Sequence, residues 1–270
     1  MKKGIDTDGF RNYLYEEELS QNTVDSYMTG LRQFSAVYDE MSKANLISYK
    51  QSLIAKGFKP ATINLRITGL LAYCKYKEIP MKVKSVKEPK KTHVENVITA
   101  EQVERLLGGL KADGNMLWYY NILLLSKTGM RISEALRVTK KDVLSGSVTM
   151  HTKAHMRTIY FPKTLIEEIR GYLDGFDADA RVMQNSHGKP LYKESVRTML
   201  AKFSEKYEIP REVMHPHAFR HFFAIEFLKR NNNIALLADV LGHSNLKMTQ
   251  LYLRQSQEQQ QDAVDKAVDW

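Results

Sequence analysis

A chain of 270 residues exceeds the usual size of one compact domain and is long enough for two, each with its own core. Its 43% hydrophobic and 26% charged residues exclude a disordered chain, and 40 Lys and Arg against 31 Asp and Glu give a net charge of +9. That charge favours an anionic partner such as nucleic acid, although solvated lysines alone also produce it.

A single cysteine, Cys74, excludes an intramolecular disulfide and a cysteine-based zinc site; beside Ala72 and Tyr73 at the end of a helical pattern it reads as a small buried hydrophobe. No signal-peptide core follows Met1-Lys2-Lys3-Gly4-Ile5-Asp6, and the most apolar segment, Met116 to Ser126, is too short for a membrane span. A cytoplasmic protein is expected.

The first periodic stretch opens at Ser20-Gln21-Asn22-Thr23, and its apolar residues Val24, Tyr27, Leu31, Phe34 and Val37 recur at helical spacing. A second helix is predicted from Ala44 to Lys56, ended by Gly57. Pro60 suits a first turn, and Ile63, Ile67, Leu70, Leu71 and Cys74 carry a third stripe to about Lys77. Residues 1–80 thus form a small helical domain. Its polar faces display Lys50, Lys56, Lys59, Arg66, Lys75 and Lys77. Lys50, Lys59 and Arg66 are candidate contacts for a phosphate backbone, with simple solvation as the alternative.

Residues 81–96 lose all periodicity. Pro89 and the run of Lys82, Lys84, Lys87, Lys90 and Lys91 read as an extended basic linker, either lying along DNA or serving as a soluble tether.

The second domain, residues 97–270, begins with a capping box at Thr99-Ala100-Glu101-Gln102. Met116 to Ser126 is apolar nearly all round and should be a central helix. Gly129 ends it, and a further helix is predicted from about Ser133. After Asp142 the period becomes that of strands: Ser147 to Thr152 and Arg157 to Phe161 alternate around a basic tip at Lys153-Ala154-His155-Met156. Helices are predicted again at Lys163 to Leu173, Ser195 to Tyr207, Phe219 to Arg230 and Ile234 to Leu241. The fold class is mainly helical, with a small antiparallel hairpin in the second domain.

Within this frame one set of polar residues exceeds what a core requires. Arg131 and Glu134 stand in Thr128-Gly129-Met130-Arg131-Ile132-Ser133-Glu134; His217, Arg220 and His221 follow, then Leu241-Gly242-His243-Ser244, then Tyr252. Arginines, histidines and a tyrosine in one place can hold a phosphodiester and attack it. A phenol has a pKa of about 10 and needs a cationic, hydrogen-bonded setting to act as a nucleophile. No phosphate-binding Gly-x-x-x-x-Gly-Lys-Ser/Thr loop occurs, and no carboxylate cluster suited to magnesium, so no nucleotide, metal or other cofactor is expected. The histidines at 215, 217 and 221 invite a metal-site reading, but Arg220 among them would repel a cation and no cysteine completes a ligand set. His215 then reads as a surface residue ahead of the helix.

The order of these motifs, ending with His243 nine residues before Tyr252, resembles the tyrosine recombinases of the phage-integrase family over nearly the whole chain. The resemblance implies a helical core-binding domain, a basic connection and a catalytic domain. By the same resemblance, Arg131 and Arg220 grip the scissile phosphate, His217 bonds it and helps take the nucleophile's proton, and Lys153 protonates the leaving 5′ oxygen. His243 braces the phosphate, Tyr252 is the nucleophile, and Glu134 and His221 support their neighbours. It implies a site-specific DNA recombinase that needs neither metal nor ATP and forms a 3′-phosphotyrosine. Its partner would be double-stranded DNA with inverted-repeat core sites, bound as a homo-tetramer assembled from a free monomer or weak oligomer. A two-domain type without an arm-binding domain is expected. The alternatives are a type IB topoisomerase, against which the front domain and the short apolar tail argue, and a DNA-binding module without catalysis.

Overall fold

The computed structural model describes residues 5–88, 96–151, 156–242 and 249–252, together with Asp265 and Val268. The chain divides into two compact units, Met1–Lys90 and Lys91–Trp270.

The first unit is built from α1 (Thr7–Glu16), α2 (Gln21–Ser35), α3 (Lys43–Ala55) and α4 (Pro60–Tyr76). The sequence reading missed α1. It starts where Asp6 Oδ1 accepts from the Gly9 amide at 2.8 Å, and it buries Phe10 and Leu14, one helical turn apart. Ser20 and Ser42 cap α2 and α3 with their hydroxyls, and Pro60 occupies the first turn of α4. The core joins Phe10, Val24, Leu31, Phe34, Leu46 and Leu70. Cys74 is buried there, and burial pushes its thiol up to about 11. Val37, expected on the buried face of α2, is 70% exposed, because the helix ends at Ser35 and the stripe does not continue past it.

The first half of the basic linker is extended, as expected, but not free of the first unit. Residues 81–88 carry no helix or strand, yet Val83 and Val86 pack on the core of the first unit. Asn64 holds Val86 by both backbone groups, accepting from its amide at 2.7 Å and donating to its carbonyl at 3.0 Å. Lys90 and Lys91 lie outside the described residues.

In the second unit the order is α5 (Ala100–Ala112), α6 (Met116–Thr128), α7 (Ile132–Ala135), α8 (Lys140–Leu144), β1 (Ser147–His151), β2 (Met156–Tyr160), α9 (Lys163–Leu173), α10 (Lys193–Lys206), α11 (Pro216–Arg230) and α12 (Ile234–Leu241). The Thr99–Gln102 capping box is formed at the start of α5. As its all-round apolarity requires, α6 is central, packing against α5, α9 and α11. The single helix expected after Ser133 is instead two short ones, because Thr139 and Asp142 form a new capping box that starts α8. β1 and β2 pair antiparallel, from Ser147 opposite Tyr160 to His151 opposite Met156. Alternation along β2 turns Arg157 and Ile159 inward. Among the described residues no helix is long and apolar enough to cross a membrane.

Candidate active site

Three consecutive carbonyls at the end of α12 each accept from a different guanidinium. Arg157 Nε donates to Val240 at 2.9 Å, Arg220 Nη2 to Leu241 at 2.6 Å and Arg131 Nη2 to Gly242 at 3.2 Å. The last carbonyls of a helix lack internal partners and form its negative pole, so arginines satisfy both the hydrogen bonds and the charge. Gly242 makes this possible: its φ of 63° is left-handed, and a Cβ there would lie 2.6 Å from Arg157 Cδ.

Glu134 sits against the same arginines and is 3% exposed. Its Oε2 accepts from the Arg131 amide at 2.6 Å and from Arg157 Nη1 at 2.5 Å, while Oε1 accepts from Arg131 Nη1 at 3.1 Å. One carboxylate thus faces Arg131, Arg157 and Arg220, and positive charge is left over. Burial first, then Arg157 and Arg131, holds the Arg220 guanidinium down to about 9, still cationic at neutral pH. Burial also lowers that of Arg157, with Glu134 opposing. A place so short of negative charge favours an anion.

The two arginines of the sequence reading are differently placed. Arg220 is 1% exposed; its Nη1 donates to the Gly129 carbonyl at 2.8 Å and its Nη2 to Leu241, which leaves Nε without a partner among the described residues. The Arg131 side chain is 39% exposed and lines a pocket of about 410 Å³ with Ser133, Arg197, His215 and His217. Arg131 is therefore the guanidinium presented outward.

Helix α11 supplies the histidines. His215 is not a loose surface residue: it is half-buried, and its Nδ1 caps α11 by accepting from the Ala218 amide at 3.1 Å. Burial lowers its pKa, in keeping with a neutral, accepting ring. His217 is exposed, and its ring meets that of His221, four residues on, at a centroid distance of 4.3 Å. His221 Nδ1 lies 2.7 Å from the Tyr252 hydroxyl. A ring in hydrogen-bond contact with the phenol is thus that of His221, for which the sequence reading expected only a supporting role. Tyr252 is packed on an apolar cluster of α11 and α12 that includes Ala224, Leu228 and Leu241. Burial raises its pKa, while the charges of Arg220 and Arg131 pull it down. The phenol accordingly holds its proton at neutral pH beside a ring nitrogen that accepts in one of the two neutral tautomers.

The structure brings together Arg131, Glu134, His217, Arg220, His221 and Tyr252. Lys153 and His243 lie outside the described residues. Lys50, Lys59, Arg66, Lys82, Lys84 and Lys87 belong to the first unit, where Lys50 Nζ donates to the Lys84 carbonyl at 3.1 Å and the Arg66 guanidinium stacks 4.2 Å over Phe58. Sequence reasoning set Arg157 beside Lys153 on the hairpin but gave it no role in the site, and it did not single out Arg197. For Arg157 a signal existed, since it shares strand parity with buried Ile159.

Residues 96–259 match the phage integrase family. The tyrosine recombinase XerA of Pyrococcus furiosus is 28% identical over 268 residues, covering 96% of this chain and 92% of its own. The integrase of the Tn1549 transposon, solved in complex with transposon right end DNA, superposes with a TM-score of 0.70 at 19% identity over 98% of this chain and 99% of that one. A lambda integrase tetramer bound to a Holliday junction gives a TM-score of 0.71 at 15% identity, over 91% of this chain and 75% of that one. At such identities these structures establish the shared fold.

Proposed function

The chain belongs to the phage integrase family, the tyrosine recombinases, and we propose that it cuts and rejoins DNA at specific sites through a 3′-phosphotyrosine on Tyr252. The observation that carries this reading is the Tyr252 hydroxyl, 2.7 Å from His221 Nδ1 and within the field of Arg131 and Arg220.

In the proposed step His221 takes the phenolic proton as the Tyr252 oxygen bonds to phosphorus. Arg131, the outward guanidinium, binds a non-bridging oxygen, and its charge counts most as negative charge builds in the transition state. Arg220, whose terminal nitrogens are already engaged and whose Nε is buried, acts by its field. The bond from phosphorus to the 5′ oxygen breaks, and Lys153 on the hairpin gives that oxygen a proton. His243 braces the phosphate, and His217 lies beside the pocket to bind it. The phosphotyrosine keeps the energy of the broken diester, so the reverse attack by a 5′ hydroxyl reseals the strand without ATP. No step calls on a metal ion. The solved complexes of the Tn1549 and lambda integrases support double-stranded DNA as the partner, and the latter supports a tetramer on paired sites. The first unit, with its basic residues Lys82, Lys84 and Lys87, would bind the DNA arms flanking the cleavage point.

The reading is tested by incubating the protein with sheared DNA from its source genome, denaturing in detergent, and sequencing the DNA that stays attached to protein. Enrichment at one inverted-repeat sequence supports it. Attachment without sequence preference points to a type IB topoisomerase, and retention of none contradicts cleavage altogether.

A further inference from the structure

Arg131 rests on two anchors, the Glu134 carboxylate and the Gly242 carbonyl. Arg157 holds Glu134 and the end of α12 from behind, donating to Oε2 of Glu134, which the Arg131 amide also uses, and to the Val240 carbonyl two residues before Gly242. Its side chain is 2% exposed, against 39% for Arg131, so it cannot itself reach a substrate in this arrangement. A guanidinium suits this task because its rigid planar fork holds the Nε and Nη1 donors apart in a fixed geometry, whereas an ammonium gathers its donors at one point on a flexible stem. Its Cδ also packs where a Cβ at residue 242 would stand, fixing the turn that leads out of α12.

We propose that Arg157 is a positioning residue for strand cleavage: from β2 it sets both anchors of Arg131 and thereby the direction in which Arg131 meets the phosphate. This rests on the recombinase reading given above. A buried ion pair is not by itself proof of such a role, since these pairs contribute little net stability. What distinguishes this one is that one of its acceptors, Glu134, also holds the residue offered to the substrate, and the other, the Val240 carbonyl, lies two residues before the Gly242 carbonyl that Arg131 binds. Displacing a supporting residue of this kind typically costs about 10- to 100-fold in activity while leaving binding largely intact.

The test compares wild type, Arg157→Lys and Arg157→Met on a duplex carrying the recovered target, nicked so that cleavage is irreversible. Affinity is measured by filter binding, and the single-turnover rate of covalent attachment is measured with the protein saturating, well below each variant's melting temperature. The expected result is an unchanged Kd with attachment about 10-fold slower in Arg157→Lys and about 100-fold slower in Arg157→Met. Arg157→Lys keeps the buried charge opposite Glu134 and decides the matter where Arg157→Met does not fold. In an Arg131→Ala background Arg157→Lys should cost nothing more, because the residue it positions is gone. Wild-type rates in the variants, a loss of affinity equal to the loss of rate, or full additivity with Arg131→Ala would each overturn the inference. Failure of the wild type to attach at all would instead remove the reading beneath it.

Discussion

The Tyr252 hydroxyl and His221 Nδ1 stand 2.7 Å apart, one on the segment after α12 and the other on α11. The phenol, raised in pKa by burial, thus meets a ring nitrogen that accepts its proton when the neutral imidazole carries its hydrogen on Nε2. Removing the ring nitrogens in His221→Phe is expected to slow single-turnover attachment by about 100-fold or more, with DNA affinity unchanged. A wild-type rate would assign the proton elsewhere, with His217 the next ring.

Glu134 is the only carboxylate hydrogen-bonded to Arg131 and Arg157 among the described residues. Glu134→Gln preserves its shape but leaves buried Arg157 uncompensated, which costs about 3 kcal/mol or more. Urea unfolding should show the midpoint fall accordingly. A loss below about 1 kcal/mol, the worth of a surface pair, would mean that water reaches the pair.

How much of this was readable beforehand depended on the kind of signal. Strong periodicity found α9 and α12 within the limits the structure shows, and the Thr99–Gln102 box marked the start of α5. The ten residues of α1 carry only Phe10 and Leu14 as core residues, too few for a periodic stripe. The site's members were legible from motif order, whereas their division of labour was not. His217 and His221 share one helix, and only the placement of Tyr252 over the latter tells them apart. The buried exposure of Arg220 and the role of Arg157 depend on where the end of α12 falls in space, which no local pattern encodes.

His215 makes α11 sensitive to acid. Its folded pKa lies below its unfolded one, so the unfolded state binds a proton more readily and stability falls as pH drops below about 6.5. His215→Ser retains a capping oxygen without the titration, and His215→Ala is expected to cost about 1 kcal/mol. Melting curves between neutral and mildly acid pH should show a smaller decline for His215→Ser than for wild type. Equal declines would mean that the cap survives protonation.

Lys82, Lys84 and Lys87 project from a segment docked on the first unit and are exposed. If each neutralises a phosphate, replacing all three by Ala lowers the slope of log affinity against log salt by about 2 to 3. An unchanged slope would leave them as solvated residues.

The most direct measurement is to find the atom that carries the DNA. Protein attached to DNA is digested with nuclease and protease, and the peptide that retains a nucleotide is sequenced by mass spectrometry. A 3′-nucleotide on Tyr252, with no attachment in Tyr252→Phe, is the outcome that the proposed chemistry requires. A nucleotide on any other residue, or undiminished attachment by Tyr252→Phe, would contradict it.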